Sequence, residues 1–145
     1  MIRANPVPWS LGLAGLIPFW ALAVLSISHR GFGLPAEAVP FALAAYAATI
    51  ASFLGGMRWG LAVAQPTQTS VAGDYLLSVV PQLLAWAALA LPDRERLLAL
   101  GVLIFVLGPL DVLLVRRNIA PPWFGRLRLV LSVGAGLALF LAALG

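Results

Sequence analysis

Five runs of apolar residues, at about 8–27, 39–64, 75–91, 97–115 and 122–144, take up most of this 145-residue chain. Each approaches or exceeds the ~17 residues a helix needs to cross the hydrocarbon layer of a bilayer. A backbone N–H or C=O in hydrocarbon has no water to bond, so runs of this kind satisfy themselves as helices. Pro8, Pro40 and Pro122 stand near the expected helix starts, where a missing N–H costs nothing. The third run is the shortest and contains Pro81 and Gln82, which admits a re-entrant segment. The tight Pro92-Asp93-Arg94-Glu95-Arg96 connection favours a hairpin between the third and fourth helices instead. The expected fold is all-α: a polytopic bundle of five transmembrane helices, forming a single integral membrane domain over residues 1–145.

Composition agrees. The chain is 62% hydrophobic and 10% charged, whereas about a quarter of the residues of a soluble domain are charged. All the basic residues are arginine and the net charge is +4. The arginines sit at the ends of apolar runs, which suits orientation in a membrane, and no basic face carries interleaved aromatics for nucleic acid. With no cysteine and His29 as the sole histidine, disulfides, thiolate metal sites and iron–sulfur ligation are excluded, and a zinc or paired-histidine haem site within one chain is implausible. No cofactor is expected. The first run superficially resembles a signal peptide, but it is long, contains Pro18, and is followed by Ser28, His29 and Arg30 instead of small residues, so a retained span is expected.

Arg3, Arg116 and Arg117, with Arg58, Arg126 and Arg128 near helix ends, gather on the N-terminal side, against Arg30, Arg94 and Arg96 on the other. The positive-inside rule then places the N-terminus inside and the C-terminus outside. Trp9, Trp59 and Trp123 would anchor the inner interface.

On the second helix Phe53, Ile50, Met57, Leu54 and Leu61 fall on one broad face, assigned to lipid. Ala44, Ala48, Ser52, Gly56 and Gly60 form a ridge of small residues on the other, widened by Ala47, Ala51, Gly55 and Ala62 beside Arg58. Small residues let helices approach closely in lipid, so packing is the simplest role for Ser52, Gly55, Gly56 and Gly60. A charge in hydrocarbon is costly and turns to the protein interior, a partner or water. Arg58 is therefore the leading functional residue. On the fourth helix Gly101, Ile104, Gly108 and Asp111 share a face, with Pro109 freeing a carbonyl near Phe105. Asp111 is the expected counter-charge of Arg58, the alternative being a solvated helix end beside Arg116 and Arg117. Asp74, Ser78, Gln82 and Trp86 step by four along the third helix as a polar stripe, and Arg128, Ser132 and Gly136 make a similar face on the fifth, while Arg126 snorkels outward. Counting ~1.5 Å per residue brings Arg58, Gln82, Asp111 and Arg128 to one inner-leaflet region. Two arginines and the two aspartates Asp74 and Asp111 would balance there, which favours a folding role over a binding pocket or proton path.

The run Ser52-Phe53-Leu54-Gly55-Gly56-Met57-Arg58-Trp59-Gly60, with Pro81, Trp86, Pro122-Trp123-Phe124 and Leu127-Arg128 beyond it, resembles the transmembrane protein 69-like family, catalogued as domain of unknown function 3429. The resemblance covers about residues 40 to 135 and marks Gly55, Gly56, Arg58, Trp59, Gly60, Trp123 and Arg128 as family-type positions. It implies a protein of the bacterial inner membrane or a mitochondrial-type membrane and supplies no activity. Asp111 rests on helix geometry alone.

Three functions compete. A non-enzymatic accessory or assembly protein, working with a larger membrane complex or by self-association, leads. A small transporter or channel for an anion or protons, using Arg58 and Asp111, is the alternative. An enzyme acting on lipid comes last, because the chain offers two membrane-edge aspartates without a nearby histidine, nucleophile or metal.

Overall fold

In a computed structural model of the chain, residues 6–64 and 71–145 are described. Arg3, counted above toward orientation, lies outside them. The order is α1 (Val7–Ala14), α2 (Leu16–Ile27), a single 3-10 turn (Ala36–Ala38), α3 (Val39–Val63), α4 (Val71–Ala88), α5 (Asp93–Arg116) and α6 (Pro122–Leu144). No strand occurs among the described residues.

Among the described residues four segments are long and apolar enough to cross a membrane: Val7–Ile27, Ala36–Val63, Asp93–Arg116 and Pro122–Leu144. Four of the five expected spans are such segments, and the third is a further helix. That further helix, α4, carries Gly73, Asp74, Ser78 and Gln82 within its apolar sequence.

The first span is broken in two at Gly15. Pro18 has no N–H for the carbonyl of Ala14, and its ring crowds that carbonyl. Tyr46 of α3 braces the break: its hydroxyl donates to the Gly15 carbonyl at 2.9 Å, and its ring meets Phe19 edge-on at 4.9 Å. α2 and α5 each end in a left-handed residue, His29 (φ 52°) and Asn118 (φ 56°). Beyond them Arg30 N–H returns to the Leu25 carbonyl and Ile119 N–H to that of Leu114, the closing bonds of a Schellman cap. α5 carries Asp93 and Glu95 in its first turn and Arg116 in its last, complementing the helix dipole at both ends.

The most extensive pairings are α5 with α6 and α3 with α4, and α2 lies across α6 and α3. Alanine and glycine make these approaches possible. Ala44, Ala47, Ala51, Ala135 and Ala138 surround Phe19, Leu43, Leu97, Leu100, Ile104 and Leu139 in one core. A Cβ on Gly101 would meet the Phe140 ring at 2.7 Å, and one on Gly108 would meet Ser132 Cβ at 2.7 Å. The core fills the bundle from the Leu43 and Leu97 end, and polar residues close the other.

The small ridge of α3 is not the buried face throughout. Ala44, Ala47, Ala51, Gly55 and Arg58 are buried, together with Leu54, but Ser52, Gly56 and Gly60 are exposed. The cause is helical drift. Four residues advance a helix by about 400°, so each step of four slips about 40° around the axis, and a ridge that starts inside at Ala44 has wound outside by Ser52. Mixed steps of three and four hold Ala44, Ala47, Ala51, Gly55 and Arg58 on one side. The same drift turns Gln82 and Trp86 of α4 outward while Ser78 stays in.

A candidate polar site at one end of the bundle

Arg58, Asp111 and Arg128 meet where α3, α5 and α6 converge. Asp111 has no solvent exposure, and Arg58 and Arg128 keep 6% and 5% of theirs. Arg128 Nε donates to Asp111 Oδ2 at 2.5 Å, and its Nη2 donates to Ser132 Oγ at 3.2 Å. Arg58 Nη2 stands 2.8 Å from Asp111 Oδ1, close enough for an ion pair but off-axis for a hydrogen bond: Arg58 Nε, Arg58 Nη2 and Asp111 Oδ1 carry none. One carboxylate is therefore clamped between two guanidinium groups, with its better-formed bond to α6.

Local sequence sets this geometry. Gly108, one turn before Asp111, lies against Ser132, and its missing side chain lets α5 and α6 approach until Arg128 reaches the carboxylate. Gly55, nearly one turn before Arg58, abuts the backbone carbonyl of Ser78, where a Cβ would overlap the oxygen. That contact seats α4 flat on α3. Ser78 spends its hydroxyl within its own helix, donating to the Tyr75 carbonyl at 2.6 Å.

Asp74 is not part of the triad. It pairs with Arg117, Nη1 to Oδ1 at 2.7 Å and Nη2 to Oδ2 at 3.0 Å, tying the start of α4 to the end of α5. The expected balance of two arginines by two aspartates is thereby replaced by a triad with two positive charges and one negative. Gln82 stands outside it on the exposed side of α4, and Trp86 is 74% exposed. Trp59 and Trp123 are partly exposed at the polar end, edge-on to Tyr75 and Phe124. Arg126 is exposed and Arg128 buried, although only two residues separate them.

Two participants escaped the sequence reading. Arg117 counts in the sequence only toward orientation, and its partner lies 43 residues away, beyond the reach of helix periodicity. Tyr46 carried one available signal, a lone hydroxyl in an apolar run opposite a proline-interrupted helix.

The Asp74–Arg117 pair lies outside the apolar runs and titrates. The bidentate bond from Arg117 holds the Asp74 carboxyl below its ordinary value, aided by the charges of Arg117 and Arg58 and opposed by burial, and raises Arg117 in turn. A carboxyl lowered in the folded state stabilises it above its unfolded value, ~3.9, and loses that contribution as pH falls through the lowered value. Both partners are partly exposed, so the pair is worth about 1 kcal/mol or less. Thermal melts in detergent at pH 7 and pH 3 should show a smaller acid loss for Arg117→Gln than for the native protein. Equal losses would mean that the pair contributes nothing.

Comparison with known proteins adds the family. The family model described as "Protein of unknown function (DUF3429)" matches residues 4–144. Transmembrane protein 69 of Xenopus tropicalis is 41% identical over 128 residues, covering 86% of this chain and 49% of the relative. Transmembrane protein 69 of Mus musculus is 33% identical over 128 residues, covering 85% and 49%. The chain spans about half the length of these curated relatives. No solved structure matches it. The apolar helices and these transmembrane relatives make it a helical membrane protein, and it belongs to the DUF3429, transmembrane protein 69-like family.

Proposed function

We propose that the chain is a non-enzymatic accessory or assembly protein of a larger membrane complex, in which the Arg58–Asp111–Arg128 triad fixes the bundle and the outer strip of α3 receives a partner helix. The observation that carries this reading is the outward placement of Ser52, Gly56 and Gly60, with open space where a Cβ on either glycine would stand. Small residues at steps of four are the surface on which membrane helices pack closely, and no helix among the described residues covers that strip. The enclosed carboxylate of Asp111 suits a fixed strut better than a reacting group.

In this reading all five helical segments cross the membrane. α4 enters the hydrocarbon beyond Asp74 and crosses as a short segment, which the bilayer meets by thinning locally. The arginine distribution puts the N-terminus inside and the C-terminus outside, in a bacterial inner membrane or, in a eukaryote, the mitochondrial inner membrane.

Crosslinking in native membranes tests the proposal. Cysteine at Ser52 or Gly56 should give a reproducible crosslinked species, lost when Gly60→Leu is added, whereas cysteine at lipid-facing Leu137 should give none. A monodisperse monomer in mild detergent with no reproducible crosslink overturns it. Gradient-driven flux of protons or an anion in liposomes, abolished by both Arg58→Ala and Asp111→Asn, would put transport in its place.

A further inference from the structure

A cavity of about 460 Å³ opens between α1, α3 and α6. Its walls are apolar, with Leu11, Phe53, Met57, Trp123 and Leu131 among them, and Arg128 is the charged residue among its lining. That volume lies within the ~300–1,000 Å³ of ordinary ligand sites.

Charge at its polar end points to the occupant. The triad has one positive charge in excess, and both of its arginines are more than nine-tenths buried. Among the described residues Arg58 Nε and Nη2 have no hydrogen-bond acceptor. Arg128 uses Nε and Nη2 on Asp111 and Ser132, and Nη1 has no bond among the described residues. Unmatched guanidinium charge in an apolar setting is costly, and an oxyanion with several acceptor oxygens is its strongest partner. Trp123, on the cavity wall in the first turn of α6, is the residue type that settles at head-group depth. Anchored by Trp123, the polar end of the cavity would stand at the depth of lipid phosphates and its apolar walls among acyl chains.

We infer that this cavity is a binding site for an anionic membrane phospholipid, one acyl chain lying along Phe53, Met57 and Leu131 and the phosphate pairing with Arg128. Arg58 acts from behind as a positioning residue: by sharing Asp111 it leaves Arg128 under-neutralised and available to a second anion. One negative charge on the lipid cancels the excess. This site is separate from the outer strip of α3, so its failure and the failure of the assembly reading are distinguishable.

The test uses the full chain in mild detergent with phosphatidylglycerol, phosphatidylcholine and inorganic phosphate as probes, read by native mass spectrometry and thermal melting. Phosphatidylglycerol should give a single retained adduct and a higher melting temperature, with at least tenfold weaker binding of phosphatidylcholine and no stabilisation by inorganic phosphate. Leu131→Trp, which fills the cavity, should abolish the adduct with the lipid-free helix content preserved. Leu11→Trp, at an exposed position of the wall, repeats the block if Leu131→Trp does not fold. Arg58→Gln, which leaves a neutral Asp111–Arg128 pair, should weaken phosphatidylglycerol at least tenfold and leave phosphatidylcholine unchanged, a selective loss that a purely structural role would not produce. Arg126→Gln, on the exposed side, should change neither. Equal affinity for the two lipids, an adduct that survives both tryptophan variants, stabilisation by inorganic phosphate alone, or loss of the adduct in Arg126→Gln overturns the proposal.

Discussion

Asp111→Asn is expected to be the most destabilising conservative change in this protein, by about 3–5 kcal/mol, the cost of leaving a buried charge without its partner. The substitution keeps the side-chain shape and removes the one negative charge facing two buried guanidinium groups. Asparagine puts an amide NH2, a donor, where one of the two acceptor oxygens stood, so one guanidinium faces another donor and neither is neutralised. Arg58→Gln should cost distinctly less, because it leaves one guanidinium on one carboxylate through the better-aligned Arg128 bond. Denaturation followed by tryptophan fluorescence in detergent ranks the two. A smaller loss for Asp111→Asn than for Arg58→Gln would mean that the carboxylate is not the hub, and that the arginines are neutralised by something other than Asp111.

The second large effect separates two adjacent glycines. Gly55→Ala should destabilise by about 1–3 kcal/mol or more, the range for overpacking, because its methyl group would collide with the Ser78 backbone carbonyl, which cannot rotate away as a side chain could. α4 would have to lift from α3, pulling Tyr75 off the Trp59 edge. Gly56→Ala meets nothing within 4 Å and replaces a poor helix former with the best one, a gain of up to ~1 kcal/mol. Melting temperatures of the two variants, with Trp59 fluorescence as a reporter of the α3–α4 contact, should move in opposite directions. A Gly56→Ala loss as large as that of Gly55→Ala in isolated monomer would place the tight contact on the other side of α3.

These two glycines also show where the sequence is readable. The all-helical architecture was legible because long apolar runs in a bilayer leave the backbone little choice. The buried faces of α5 and α6 were legible too. Gly101, Ile104, Gly108 and Asp111 are confined to one narrow strip flanked by large exposed residues such as Val102, Phe105 and Val106. On α3 small residues occupy well over half of the circumference, and nothing in their order says which glycine meets a neighbour's backbone. That depends on how close α4 comes, which the spacing of residues on α3 does not encode. The triad was legible in its residues and not in its arithmetic: the geometry that joins Arg58 to Asp111 is local, whereas the removal of Asp74 to Arg117 depends on how two helix ends abut.

The clamp on Asp111 has a consequence for biogenesis. Asp111 and Arg128 belong to one helical hairpin and enter the bilayer together as a neutral unit. Arg58 is synthesised earlier, on a helix with no acid of its own, so its charge is expected to stay near the water boundary until that hairpin supplies Asp111. Ribosomal order thus makes the C-terminal half of the chain the membrane licence for the depth that α3 finally reaches.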